Sequence, residues 1–206
     1  MANDRYRFKL RNSAMKIVGA LGVALAGLSM IGAVTAYAQM DKRSQYEGPA
    51  AAVVDDKGNL RVPSDYRTAY QALGNWAVAK DDGPGSKEMH MVYASPGTID
   101  AYRKDGHYPD GTVLVKEVFH TTTNEMTTGT VSSAGALVGW FVMVKDGVGR
   151  FPENKLWGDG WGWAWFDAAN PQKTTSTDYT KDCKSCHVPA RDSDWIYTYG
   201  YPPLNR

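Results

Sequence analysis

The hydrophobic pattern changes period several times along the chain. Ile17 to Val34 runs without a charge. Residues 39–60 are polar and rich in Gly and Ala, with the turn cluster Asp55-Asp56-Lys57-Gly58-Asn59, and read as a flexible lead-in. A helix start is expected at Val62-Pro63-Ser64-Asp65, with Ser64 or Asp65 as N-cap. Tyr66, Tyr70 and Leu73 then share one helical face, and Gly74-Asn75 would end the helix. Trp76–Ala79 and Met89–Tyr93 read as strands. Ser95-Pro96 opens a short helix that Gly106 closes. After the turn signal Pro109-Asp110-Gly111, Thr112–Phe119 is rich in β-formers. The polar Thr/Ser stretch 121–133 predicts a long loop or hairpin tip. Leu137–Lys145 and Trp161–Phe166 are further strands, and the end from Asp182 looks helical and turn-rich. The sum is one α+β domain over 61–206, mainly antiparallel sheet with a few short helices.

Parity along these strands singles out two groups of side chains. In Thr112–Phe119, Lys116 shares a face with Leu114 and Val118, and Glu117 points the other way. A lysine among apolar neighbours is desolvated, which lowers its pKa and favours a neutral, nucleophilic amine. The plainer reading is an edge-strand lysine that blocks aggregation. Lys104 and Lys145 each sit beside a turn signal instead. On the last strand, Trp161, Trp163 and Trp165 alternate with Gly160, Gly162 and Ala164. The small-residue face is expected against a flat group or another backbone, and the tryptophans in the core. The plainer reading is an aromatic core cluster alone.

Charge changes the picture at the N-terminus. Residues 1–16 carry five basic side chains against Asp4, then comes the apolar run, then Ala36-Tyr37-Ala38. That order reads as a secretory signal over 1–38, with an uncleaved membrane anchor as the alternative. Cleavage turns a net charge of +1 into −3 over the remaining 168 residues. The basic excess therefore belongs to the address and says nothing of partners. A near-neutral chain argues against nucleic-acid binding, and no membrane association is expected after cleavage.

The two cysteines are too few for a disulfide scaffold and lie three apart. Cys183-Lys184-Ser185-Cys186-His187 is a CxxCH sequence, the attachment signature of c-type haem. Two thiols add to the porphyrin vinyl groups, and the adjacent His187 becomes an axial iron ligand. The competing readings are a redox CxxC pair or half a zinc site. The latter needs further ligands, and the other histidines are at least 67 positions away. Only 19 residues follow His187, none of them Met or His. A sixth ligand would come from upstream, for example Met89, Met91 or Met143, where Met more often fills core. An open sixth position is the expectation, and it points to ligand binding or catalysis.

Five ordered motifs now carry a resemblance. They are Met89–Pro96 (MHMVYASP), Tyr108–Glu117 (YPDGTVLVKE), Trp140–Asp146 (WFVMVKD), Trp157–Trp163 (WGDGWGW) and Asp182–Ala190 (DCKSCHVPA). Over roughly residues 60–204 the chain resembles the cytochrome P460 family. The resemblance implies a periplasmic, mostly β, homodimeric enzyme with one covalently bound haem c. Such an enzyme oxidises hydroxylamine to nitrous oxide, nitric oxide or nitrite and passes electrons to an exported c-type cytochrome. It also implies a lysine bonded to a porphyrin meso carbon, which maps to Lys116. Close relatives, the cytochromes c′-β, lack that bond and bind gases such as nitric oxide in an apolar distal pocket.

One departure stands against the enzyme. The resemblance implies a carboxylate above the haem, expected on the strand after the lysine. Val138–Val144 holds no Asp or Glu, and Phe141 occupies the corresponding position. An apolar cap supplies no general base. Glu125 or Glu153 would have to reach in from loops. The sequence thus leaves two functions open, a hydroxylamine oxidoreductase and a non-enzymatic gas binder, with a six-coordinate electron-transfer cytochrome as a third.

Overall fold

The computed structural model describes residues 46–205. The signal expected over 1–38 and the first part of the lead-in lie outside the described residues. Six strands form one antiparallel sheet in the order β1-β2-β3-β4-β6-β5. They are β1 (Gln71–Ala79), β2 (Ser86–Ala94), β3 (Val113–Met126), β4 (Gly129–Lys145), β5 (Trp157–Gly158) and β6 (Trp161–Asp167). The helices are short: α1 (Tyr66–Ala69), α2 (Thr98–Asp105), α3 (Tyr179–Asp182) and α4 (Lys184–His187). Among the described residues no helix is long and apolar enough to cross a membrane.

Register sorts the strand residues into two faces. Across β2, β3, β4 and β6, Val92, Lys116, Phe141 and Trp165 lie opposite one another in one row. The next row on that face is Ala94, Leu114, Met143 and Trp163. The other face carries Tyr93, Val115, Val142 and Ala164, then Met91, Glu117, Trp140 and Phe166. Each face has its own hydrophobic cluster, because period-two alternation gives each strand two apolar sides. The N-terminal segment with Tyr46, Ala50, Val53, Leu60 and Tyr66 covers the second face. The C-terminal segment with Cys183, Trp195, Ile196, Tyr201 and Leu204 covers the first.

Several expectations are corrected. Residues 46–60 are not a loose lead-in. They form a 3₁₀ turn, Gly48–Ala52, and a Val54–Leu60 bridge, and Ala50 and Val53 are fully buried. The packed unit begins at Tyr46 rather than 61, because the second sheet face needs an apolar cover. The helix expected through Leu73 stops at Ala69. Tyr70 is already extended, and Leu73 pairs within the sheet region of β1 beside a bulge, so strand pairing with β2 outweighs helical spacing. Of the two alternatives for the polar stretch 121–133, the hairpin tip is the one the structure forms. Thr121–Met126 and Gly129–Ala134 pair as an extended arm, consistent with the β-propensity of their threonines. Gly162 and Ala164 sit on the opposite face from the three tryptophans, as parity requires, and a flat side chain packs against Gly162. A Cβ at Gly162 would meet the Trp157 ring at 2.7 Å, so the small face abuts a core tryptophan.

Glu117 is 1% exposed, yet it is well partnered. The Tyr66 hydroxyl and Arg67 Nε (2.6 Å) both donate to its Oε1, and Trp140 Nε1 donates to the Tyr66 oxygen at 2.8 Å. Burying this carboxylate is tolerable because a cation and a hydroxyl compensate its lost hydration. Tyr66→Phe removes the hydroxyl that joins Glu117 to Trp140. It should lower unfolding stability by about 1–3 kcal/mol in urea denaturation, since two buried groups each lose a partner.

Candidate functional site

A cavity of about 670 Å³ lies between the first sheet face and the C-terminal segment. That volume is in the range of sites that enclose a cofactor-sized molecule. Lys116, Phe141, Cys183, Cys186 and His187 all line it, so the lysine, the aromatic candidate and the CxxCH donors come to one place. Lys116 and Phe141 are cross-strand partners, with the amine 4.3 Å from the ring centroid. Trp163 and Trp165 line the same cavity, with Trp163 edge-on to His187 at 4.9 Å between ring centroids. Trp161 and Trp163 are core residues as expected, and the face that Trp163 shares with Trp165 also borders the cavity.

The CxxCH segment is built from two short helical turns. Asp178 caps α3 by accepting from Thr180 N at 3.0 Å, and Asp182 accepts from the backbone of Thr177 and Asp178. Cys183 ends α3 and begins α4, so Cys183, Cys186 and His187 emerge from one compact turn. Both thiols are free. Burial pushes the Cys183 thiol up to about 11. Among the described residues no group of three or more His, Cys, Asp and Glu comes together as a metal cage. The cysteine pair thus lacks the extra ligands a zinc site requires.

His187 is oriented by a backbone carbonyl. Its Nδ1 lies 2.6 Å from the Trp195 oxygen. A carbonyl only accepts, so Nδ1 carries the proton and Nε2 presents its lone pair. Burial holds the His187 pKa below the ordinary value, opposed by that hydrogen bond, and the Lys116 charge adds to the lowering. The carbonyl is aimed by two successive residues in the left-handed region, Asp194 (φ 58°) and Trp195 (φ 67°). Such conformations cost about 1–3 kcal/mol each for side-chain-bearing residues. Two free thiols, an imidazole with an available Nε2 and a mostly apolar wall in one cavity are a donor set that fits a haem.

Four residues lie where sequence reasoning did not place them. Glu88 and His90 on β2 line the cavity, and His90 Nε2 lies 3.1 Å from Glu88 Oε2. Burial lowers the His90 pKa, Glu88 opposes this, and Lys116 adds to the lowering. Their spacing of two on a strand is the signal that places both on one face; the pairing of Val92 with Lys116 makes it the cavity face. A carboxylate therefore lines the cavity from β2 and not from β4, whereas Glu125 sits on the exposed arm and accepts from Thr130. Of the suggested methionine ligands, Met143 lines the cavity, and Met89 and Met91 do not. Asp194 and Trp195 carried no sequence signal. Lys104 and Lys145 do not line the cavity either.

Desolvation dominates at Lys116 and holds its pKa below the usual 10.5, against weaker attraction from Cys186, Glu88 and Cys183. Between the lowered folded value and 10.5, the unfolded chain binds more protons than the native one. Stability contributed by this residue therefore rises with pH through that window. In haem-free protein, Lys116→Met should be the more stable variant at neutral pH. Its advantage over wild type should shrink as pH climbs toward 10.5, as read by urea denaturation at a series of pH values.

A search of the curated proteins returns no significant match. The family model described as Cytochrome P460 matches residues 63–198, a span that includes β1 to β6, the CxxCH turn and all of the cavity lining except Tyr199 and Tyr201. With two thirds of its length under that model, and with a cavity whose donors suit a haem, the chain belongs to the cytochrome P460 family.

Proposed function

We propose that this protein carries one covalently attached haem c and oxidises hydroxylamine, with Lys116 bonded to the porphyrin. The observation that carries the reading is the meeting of a desolvated lysine amine with the CxxCH donors on one cavity. When bound, the haem supplies an iron site that takes a small ligand and accepts electrons. Cys183 and Cys186 would hold it through thioethers, and His187 Nε2 would donate to its iron. Lys116, biased toward the neutral amine by desolvation, would supply the nitrogen of the cross-link, an N–H and a porphyrin C–H giving way to the new C–N bond as two protons and two electrons pass to an oxidant such as a peroxide. Oxidation of hydroxylamine also releases protons, and Glu88 with His90 is the acid–base pair on the cavity wall. Phe141 and the apolar wall exclude water beside Lys116.

A periplasmic location after removal of residues 1–38, an exported c-type cytochrome as electron acceptor and a homodimeric assembly belong to the same proposal. The second reading, a gas-binding protein like the cytochromes c′-β, has its own support in Phe141, whose ring lies against the Lys116 amine. The electron-transfer reading has Met143 and His90 as cavity-lining residues that could complete a six-coordinate iron.

Three measurements separate these readings. Tryptic digestion of the mature protein should give the Lys116 peptide joined to the haem peptide, lighter than their sum by two hydrogens. A free Lys116 peptide would remove the cross-link. With an artificial oxidant, the wild-type protein should turn over hydroxylamine, and Glu88→Gln should lower kcat by about 10²–10⁴-fold. A cross-linked protein with no turnover establishes the gas binder instead. The ferric spectrum should be high-spin; a low-spin, six-coordinate spectrum favours electron transfer.

A further inference from the structure

The loop that orients His187 is itself held from the sheet. Lys145 ends β4 on the same face as Met143, two residues further on, opposite Trp161 of β6. Its Nζ lies 2.5 Å from Asp194 Oδ1 and 4.9 Å from the Trp161 ring centroid. The Trp161 indole Nε1 donates to the Asp194 carbonyl at 3.0 Å. On the other side, Trp195 N donates to the Ala190 carbonyl at 2.9 Å, and Ser193 Oγ donates to the Ile196 carbonyl at 2.6 Å. Each of these contacts falls on the stretch in which Asp194 and Trp195 adopt left-handed backbone.

Left-handed backbone is tolerable for aspartate and an outlier for tryptophan. Trp195 is nevertheless 8% exposed and fixed there. Strain of this kind persists only where the surroundings over-determine it. Here the surroundings are a mostly buried ion pair and an indole hydrogen bond, both reaching Asp194 from the sheet. The Asp194 Oδ2 atom is buried with no hydrogen-bond partner, so Lys145 is the group that compensates the carboxylate. Ordinary loop packing does not require a charge at this point; a neutral residue would avoid its desolvation. What the arrangement fixes is the Trp195 carbonyl, one peptide beyond Asp194, at 2.6 Å from His187 Nδ1.

We infer that the Lys145–Asp194 ion pair is a positioning device for the axial histidine. By holding the Trp195 carbonyl against Nδ1–H, it sets the strength of that hydrogen bond and so the donor strength of Nε2. A firmly held acceptor makes the imidazole a stronger donor, favours ferric over ferrous iron and stiffens the iron–histidine bond. Lys145 and Asp194 are positioning residues, because neither lines the cavity. The inference rests on the haem reading above for the identity of the metal that His187 serves.

The test uses mature holoprotein, with the iron–histidine stretching frequency of the ferrous form and the ferric/ferrous potential as readouts. Lys145→Met and Asp194→Gly should lower the frequency and raise the potential. Glycine accepts the left-handed backbone without strain, so Asp194→Gly removes the ion pair while keeping the loop conformation accessible. Asp194→Asn retains an oxygen that accepts from Lys145 and should shift both readouts least. Tyr66→Phe weakens the fold from the opposite sheet face and should leave both readouts at wild-type values. Wild-type values in haem-loaded Lys145→Met and Asp194→Gly, or an equal shift in Tyr66→Phe, would overturn the inference. Should Lys145→Met not accumulate, the order Asp194→Gly beyond Asp194→Asn beyond wild type still decides it. A wild-type protein with no histidine-ligated iron would sink the haem reading instead, a result visible before any variant is compared.

Discussion

Two adjacent charged residues on a central strand constrain the whole sheet. β3 is paired on both sides over Leu114–Val118, so neither Lys116 nor Glu117 has an open edge to escape to. Strand geometry sends them to opposite faces. Each face must then supply what its charge requires. Glu117 meets Arg67, Tyr66 and, through Tyr66, Trp140. Lys116 meets a cavity. A slip of one residue would bury the carboxylate among the haem donors and press the ammonium against Arg67. Register is therefore specified by electrostatics as well as by hydrophobic alternation.

The two layers that cover the sheet follow from the same division. The N-terminal segment brings Tyr66 and Arg67 to Glu117 and fills the second face with Ala50, Val53 and Leu60. Its polar groups are taken up by the sheet: Tyr66 and Arg67 donate to Glu117, and the Tyr46 hydroxyl donates to the Lys145 carbonyl. The C-terminal segment covers the first face without filling it, and the space left between is the cavity. Closure there is made by polar ties as well as apolar contact. Lys145 reaches Asp194, Trp161 reaches the Asp194 carbonyl, and Lys184 reaches Asp159 at 2.8 Å. A layer held by a few directed contacts can orient a side chain such as His187 more closely than apolar packing alone.

The sequence made the site's chemistry more legible than its surroundings. CxxCH is contiguous, and strand parity separated Lys116 from Glu117 without any knowledge of the fold. Phe141 was reached by counting along the next strand, and the register pairs it with Lys116. Glu88 and His90 required the register of β2 against β3, which no local pattern carries. Tyr66, Tyr70 and Leu73 shared a helical period by coincidence, and pairing with β2 overrode it. Asp194 and Trp195 are still less visible, because left-handed backbone at non-glycine residues is imposed by partners far away in the chain. The lead-in misled for a related reason: Ala50 and Val53 look unremarkable until a sheet face needs covering.

Lys116 and His90 are also coupled electrostatically, which ties the proposed cross-link to the proposed base. The Lys116 charge is one of the influences that hold His90 below the ordinary histidine pKa. A lysine nitrogen bonded to a porphyrin carbon no longer carries that charge. Removing it lifts the repulsion, and the Glu88 carboxylate then acts on His90 with less opposition. His90 becomes the stronger proton acceptor in the cross-linked protein, although burial still works against its charged form. The direction matters for the choice between catalyst and gas binder. In a protein that never forms the bond, the lysine suppresses the basicity of the cavity's histidine, and an apolar, weakly basic pocket suits a neutral gas. With the proposed bond in place, the same residues would make a pocket better able to take protons from a bound ligand. On this reasoning loss of one amine's charge shifts the pocket toward proton uptake and so toward the enzyme reading, with Phe141 and the rest of the wall unchanged.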